Sequence, residues 1–421
     1  MEASSTPRNL VGGEKSASQR LYDIDLANPS TYVPAVPHAA FKLLRATAPV
    51  FWHKDPKGPS FWAITKYHDV VTISRDPKTF SSARRTALFQ ELSPEQLAQT
   101  QMIMLNMDAP RHTKIRALVN KGFTPRMVAQ LEPHVREITT KIIDAVASKG
   151  KCDFVTDVAA ELPLQVIAEM MGVPVEDRHA LFDWSNRLIG FDDPEYATSE
   201  EDGKKAAMEV YMYANRLAVE RKKNPGDDLV SVLMNAEVDG EKLTELEFDL
   251  FFLLLMVAGN ETTRNLISGG MRALIEHPEE RARLLQDPSL MPTAVDEMLR
   301  WVSPVMSFRR TATRDTEIRG QKIREGDKVL IYYASANRDE EVFPDSERFD
   351  VARTPNDHLA FGIGEHFCLG SNLARLEIRV LFEEVLRRLP DMELAGPVER
   401  LRSSLINGIK RMPVAFTPEA R

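Results

Sequence analysis

Between Thr244 and His277 the sequence writes one long helix with both ends marked. Thr244-Glu-Leu-Glu247 fits a capping box, in which a hydroxyl and a carboxylate three residues apart each satisfy an orphan backbone N–H. His277-Pro278 sets the stop, because a proline disfavours helical geometry in the residue before it. About 34 residues would reach roughly 50 Å, the width of a whole domain. The middle of the segment, Phe251-Phe-Leu-Leu-Leu-Met-Val-Ala-Gly259, is apolar on all sides, so it belongs in the core and not on the surface. Any fold for this chain has to be wrapped around that rod.

Polar chemistry interrupts the rod at Ala258-Gly259-Asn260-Glu261-Thr262-Thr263. A carboxylate and hydroxyls inside a buried helix are costly unless partnered or used. Gly259 costs about 1 kcal/mol relative to alanine at mid-helix, which points to a need for space. Two readings fit. Thr262 bonds back to a carbonyl of the preceding turn in a local distortion, or small residues open a groove where an acid and an alcohol deliver protons.

A second motif follows about 105 residues later. Phe361-Gly-Ile-Gly-Glu-His366-Phe-Cys368-Leu-Gly370 sets a cysteine in a glycine-rich loop, at the mouth of an apolar helical stretch over 371–389. Such a loop can aim N–H groups at sulfur, and a helix N-terminus favours negative charge. Both favour the thiolate that a metal ligand or nucleophile needs. Cys152, in Lys151-Cys-Asp-Phe154, reads as structural. With two cysteines far apart and one committed to chemistry, a disulfide is not expected, and a reducing cytoplasm fits.

Other helices are expected at 36–48, 67–75, 94–105, 125–149, 155–171, 175–189, 203–223, 227–236, 278–286, 292–301 and 334–338. Pro49–His53 and Phe61–Thr65 flank a Pro/Gly turn and read as a hairpin, and Lys328–Tyr333 as a further strand. The fold class is therefore mainly α with small β-sheets. No linker or repeat divides the 421 residues, so one domain over 21–421 is expected after a flexible segment 1–20. A net charge of −8 argues against nucleic-acid binding, and the longest apolar run is far short of the roughly 18 residues of a membrane span. The polar N-terminus carries no signal-peptide core.

From about Tyr22 to Phe416 these motifs resemble the cytochrome P450 family of haem-thiolate monooxygenases. The resemblance implies that family's fold, with the long helix over a haem b (iron protoporphyrin IX) held by the cysteine loop. Cys368 would be the axial iron ligand, a thiolate that favours O–O cleavage. Phe361, Gly362 and Gly370 would shape the loop, and His366 would bond a propionate or stabilise the loop. Ala258 and Gly259 would line the oxygen groove, with Thr262 and Glu261 as the acid–alcohol pair. His112, Arg116 and Arg310 match propionate donors, the register Arg-Thr-Ala-Thr-x-Asp favouring Arg310 over Arg309. Glu297 and Arg300, one helical turn apart, would join Arg348 in a structural lock.

The segments MLNMDAPRHTKIRALVNKGFTPR, VAGNETTRN, ANRDEEVF and INGIKRMPV resemble a bacterial subgroup that hydroxylates sterol side chains and methyl-branched lipids at their ends. That implies an apolar substrate, hydroxylated with O2 at or near a terminal carbon. Alternatives are a peroxide-driven enzyme, oxidation of steroid rings or macrocycles, and a haem-based ligand sensor. Leu88, Phe89, Met104, Phe191, Met256, Val305, Phe308, Leu405 and Ile406 are the expected substrate-pocket residues. Electrons would come from NAD(P)H through a ferredoxin and its reductase, docking on the basic stretch Arg111, Lys114, Arg116, Lys121 and Arg126 of a monomer.

Overall fold

The computed structural model describes residues 21–420 apart from 22, 197, 198, 225, 227, 236 and 239. The expected flexible segment 1–20 lies outside the described residues. The helices that build the site are α1 (Arg111–Val119), α2 (Pro125–Ala147), α3 (Glu161–Met170), α4 (Arg178–Ile189), α5 (Glu200–Lys223), α6 (Glu245–Glu276), α7 (Met291–Val302) and α8 (Ser371–Arg388). The main sheet holds β1 (Val50–His53), β2 (Phe61–Ile64), β3 (Phe80–Ser81), β4 (Ser307–Ala312) and β5 (Lys328–Tyr332), in the order β1-β2-β5-β4-β3. The expected hairpin pairs antiparallel, Trp52 opposite Trp62. Strands of two or three residues elsewhere, such as Glu393–Leu394 and Pro413–Ala415, had no sequence signal; the latter pairs Val414 with Cys152.

Helix α6 starts and stops where the sequence marks it. Thr244 Oγ1 accepts from the Glu247 N–H at 3.3 Å while the Glu247 carboxylate accepts from the Thr244 N–H at 2.9 Å. Its glycines set how closely neighbours approach. A Cβ on Gly259 would lie 3.0 Å from Ile167 of α3, and one on Gly269 would lie 2.9 Å from Val302 of α7. Methyl groups there would force the packed layers apart.

The helix expected over 155–171 is divided. Val155–Ala159 forms a π-turn, with the Ala160 N–H bonded five residues back to Val155, before α3 begins at Glu161. Pro163 has no N–H to give the Ala159 carbonyl, so the regular ladder cannot run through this point.

The scaffold lock forms, with a different arginine. Glu297 and Arg300, both fully buried, pair through two bonds of 2.8 Å. Arg300 also donates to the carbonyls of Asn337, Ser346 and Arg348. The third side chain is Arg353, whose Nε lies 3.1 Å from Glu297. Arg348, the expected partner, contributes only its backbone; its side chain is 60% exposed and leans toward Glu280. The loop places residue 348 with its carbonyl inward, and the next arginine reaches back.

Arg353→Ala should cost about 3 kcal/mol by leaving a buried carboxylate short of positive charge. Arg348→Ala should cost less than about 1 kcal/mol. Urea unfolding of the two variants checks the contrast, and equal losses would reinstate Arg348.

Candidate active site

The loop Phe361–Gly370 hangs between the locked segment and the start of α8. Gly362 and Gly364 take φ of +68° and +81°, and at Gly364 a Cβ would fall 2.4 Å from the Ser74 carbonyl oxygen, so only glycine fits there. The Cys368 N–H donates to the Phe361 carbonyl at 2.9 Å, closing the loop. Cys368 lines a cavity together with Phe361, Gly362, Leu369 and Gly370. Burial pushes the Cys368 thiol up, while the Gly370 N–H and the charges of Arg116 and Arg375 pull it down. Burial wins. The loop's field alone does not deliver the expected thiolate; a coordinated cation would.

The opposite wall is α6. Ala258, Gly259, Thr262 and Thr263 line the cavity, and Phe251, Leu254 and Leu255 extend it along the same helix face. The Thr262 hydroxyl donates to the Ala258 carbonyl at 2.8 Å within an unbroken helix. Glu261 is not on the cavity wall. Its carboxylate, fully buried, pairs with Arg264 one turn on, and Arg264 donates to Asn186 Oδ1 of α4 at 2.9 Å. Burial pushes the Glu261 carboxyl up and Arg264 opposes that shift. Glu261 Oε1, Arg264 Nε and both amide atoms of Asn260 lie buried in this region without a protein partner.

At the cavity rim the structure gathers four cation-capable side chains. The rings of His112 and His366 lie 4.3 Å apart. Burial and Arg116 bring His112 down to about 4, and burial, Arg310, His112 and Arg116 bring His366 down to about 2. Both rings are therefore neutral near pH 7, and His366 Nε2 is buried without a hydrogen-bond partner, 3.6 Å from the Glu365 carboxylate. Such a cluster calls for an anionic group between its members. Strand alternation assigns the arginines on β4. Arg309 donates to Glu91 at 2.7 Å on one face, while the charge of Arg310 acts on His366 and Glu365 on the other. Arg116 donates to the carbonyls of Glu365 and Phe367, so it also braces the cysteine loop.

Of the expected pocket residues, Met104, Val305 and Phe308 line the cavity. The other six do not. Met256 is buried in the core on a different face of α6, because one residue turns a helix by about 100°. Ile406 pairs beside Val305 through an isolated antiparallel bridge, and the Leu405 carbonyl accepts from the Met306 N–H there. Phe89 lines a separate cavity, and Leu88 and Phe191 are partly buried away from the inner wall. Phe251 and Leu254 were legible in principle: they stand eleven and eight residues before Thr262, three and two helical turns. Ile167 and Phe123 reach the cavity from elsewhere in the chain and had no such signal.

Residues 151–390 match the family model described as cytochrome P450. The chain is 44% identical to the steroid C26-monooxygenase of Rhodococcus jostii (strain RHA1), covering 93% of this chain and 84% of that protein. It is also 44% identical to the methyl-branched lipid omega-hydroxylase of Mycobacterium tuberculosis (strain ATCC 25618 / H37Rv), over 97% and 98% of the two chains. Among solved structures, a Mycobacterium marinum cytochrome P450 in complex with pseudoionone superposes with a TM-score of 0.85 at 39% identity, covering 98% of this chain and all of that one. The cysteine loop, the long helix facing it and these likenesses lead to one conclusion: the chain belongs to the cytochrome P450 family, haem-iron monooxygenases that use O2.

Proposed function

We propose that this chain hydroxylates an elongated apolar molecule at or near its terminal carbon, the substrate being a sterol side chain or a methyl-branched lipid. The observation that carries the reading is the wall made by Phe251, Leu254, Leu255, Val305 and Phe308, which brings no charge to the space facing Thr262. Only an apolar end of a substrate gains by entering such a space. The two relatives named above, one a steroid and one a branched-lipid hydroxylase, support the same choice.

The haem fits the residues at hand. Cys368 would ligate the iron, and His112, Arg116, Arg310 and His366 would meet the propionates, whose charge answers the cationic cluster at the rim. When bound, the haem supplies an iron centre that reduces O2, so that R–H + O2 + two electrons + two protons gives R–OH + water. The chain's own part is to exclude bulk water, orient the substrate and supply protons. Thr262 holds a hydroxyl proton at the cavity wall, and Glu261 is the acid behind it. For Glu261 to pass a proton to Thr262 its carboxylate has to swing away from Arg264, among the buried polar atoms of Asn260.

Electrons come from NAD(P)H through an external ferredoxin and reductase. Phe367, beside Cys368, is 41% exposed, and the basic stretch at Arg111 to Arg126 lies next to it in the fold through Arg116. Arg111 is already paired with Glu247, so it contributes less to a partner than its charge implies. No helix among the described residues is long and apolar enough to cross a membrane. A single haem domain, acting as a cytoplasmic monomer with both cysteines free, completes the reading.

Cys368→Ala should abolish hydroxylation and remove the thiolate-type Soret band of the reduced carbon monoxide complex; a retained band would end the assignment. Thr262→Ala should keep consuming O2 while hydroxylated product falls about tenfold or more and peroxide accumulates. Unaltered coupling in that variant would remove Thr262 from the proton path. Turnover with NAD(P)H, ferredoxin and reductase, set against turnover with peroxide alone, tests the electron source.

A further inference from the structure

Helix α5 is apolar on two opposite faces. Val210, Tyr213, Ala214 and Leu217 are buried toward the body of the fold, the Tyr213 ring lying 6.2 Å from that of Phe252 on α6. A surface helix ordinarily turns polar side chains to the other side. Here Met208, Met212 and Val219 stand there, 58%, 67% and 54% exposed. At about 100° per residue the three fall within an arc of about 40°, roughly opposite Val210 and Leu217. A fourth side chain joins them. Val175, 65% exposed, begins the short turn Val175–Asp177, and Asp177 accepts from the Tyr213 hydroxyl at 2.8 Å and lies 3.9 Å from Arg216. These are the four most exposed large apolar side chains among the described residues, and all four gather at one helix. Scattered singly they would need no account; gathered, they mark a contact surface.

The stripe has a border mainly of one sign. Lys205, Arg216 and Lys223 run along one flank of α5 and Lys204 and Lys222 along the other, all exposed. In the same sector of the helix only Glu201, in the first turn, is acidic, and Glu176 stands beside Val175. Glu209 and Glu220 lie further round, Glu209 accepting from Trp184 and Arg187 of α4 and Glu220 facing Arg221 at 3.3 Å. On a chain whose net charge is −8, this is a local excess of cations around exposed apolar groups. Such a helix suits the interface of an anionic bilayer, where apolar groups enter the acyl boundary and lysine and arginine stay among the headgroups. A second copy of the chain fits less well, because its own stripe would set cations against cations. A protein partner gains most from aromatic anchors seated in pockets, whereas this stripe offers methionine and valine on a convex helix.

We propose that the outer face of α5 docks the protein on an anionic lipid surface, with Met208, Met212 and Val219 in the acyl boundary and the lysines against the headgroups. The contact is peripheral and reversible, since a few side chains on one helix give only weak attachment. Its use follows from the packing. Phe252 meets α5 while Phe251 beside it lines the cavity, so the docked helix stands one layer from the inner wall. An apolar substrate is concentrated in the bilayer, and docking brings the enzyme to it; this use, though not the docking itself, rests on the lipid reading above.

The test is sedimentation of the haem-loaded protein, without substrate, with vesicles of phosphatidylcholine alone or of phosphatidylcholine mixed with phosphatidylglycerol. Binding to the mixed vesicles should be about tenfold tighter or more, and should weaken as salt is raised. Met208→Gln together with Met212→Gln should weaken it about tenfold, with the circular dichroism and the reduced carbon monoxide spectrum unchanged. Lys222→Gln together with Lys223→Gln should remove most of the preference for phosphatidylglycerol. Leu285→Gln, on the separate helix Pro278–Gln286 and also exposed, is the control and should change nothing. Failure to sediment with either vesicle, or an equal loss in the Leu285→Gln control, overturns the inference. Self-association of the unmodified protein in the ultracentrifuge, lost in the methionine variant, also overturns it and gives the stripe to a second copy. None of these measurements involves hydroxylation, so each of those failures leaves the proposed function standing.

Discussion

Everything on the cysteine side of this molecule hangs from one carboxylate. Glu297 is wholly buried and accepts from Arg300, Arg353, Asn356 and the Asp350 N–H. Removing any of these donors leaves charge in a medium that solvates it poorly, so the segment from Asn337 to Asn356 has one conformation in which all are satisfied. That segment leads directly into Leu359, whose N–H is itself held by Asn337 at 2.7 Å, and then into the cysteine loop. Position at Cys368 is thus set by electrostatics several residues upstream of the sulfur.

The facing wall is held by a different force. Helix α6 is buried along most of its length by dispersion and apolar burial, with glycines at 259, 269 and 270 permitting close approach by Ile167, Val302, Met298 and Phe382. Tight packing on the flanks leaves the polar residues of the motif little room. They form a network with α4 through Arg264 and Asn186, while Thr262 keeps the cavity side. The helix therefore carries an apolar cavity face and a buried polar network side by side, and the acid and the alcohol, one residue apart, point about 100° from each other.

The elements that carried local signals were legible: the capping box of α6, the hairpin turn, and the glycines that only a tight loop would need. What escaped depended on choices made at a distance. Two arginines five residues apart could each have met Glu297, and the chain reversal that selects Arg353 has no signature of its own. Glu261 is a different case, because Glu261-x-x-Arg264 repeats the spacing of Glu297-x-x-Arg300. A carboxylate with a cation one turn away on a buried helix turns toward it, so its absence from the cavity wall was written in the sequence. Leu405 and Ile406 run beside Val305 and Met306 while only Val305 of the four lines the cavity, and nothing local in the sequence says which of two paired apolar segments faces it.

Strand β4 carries a consequence of its pleat. Phe308 and Arg310 look toward the cysteine side, and Arg309 between them toward Glu91 and Lys328. One backbone thus serves as a common beam for two chambers, and no residue on it can be shifted along the strand without exchanging the faces. A substitution at 309 that displaces the strand is therefore felt on both faces at once, at Glu91 and Lys328 on one and at Phe308 and His366 on the other.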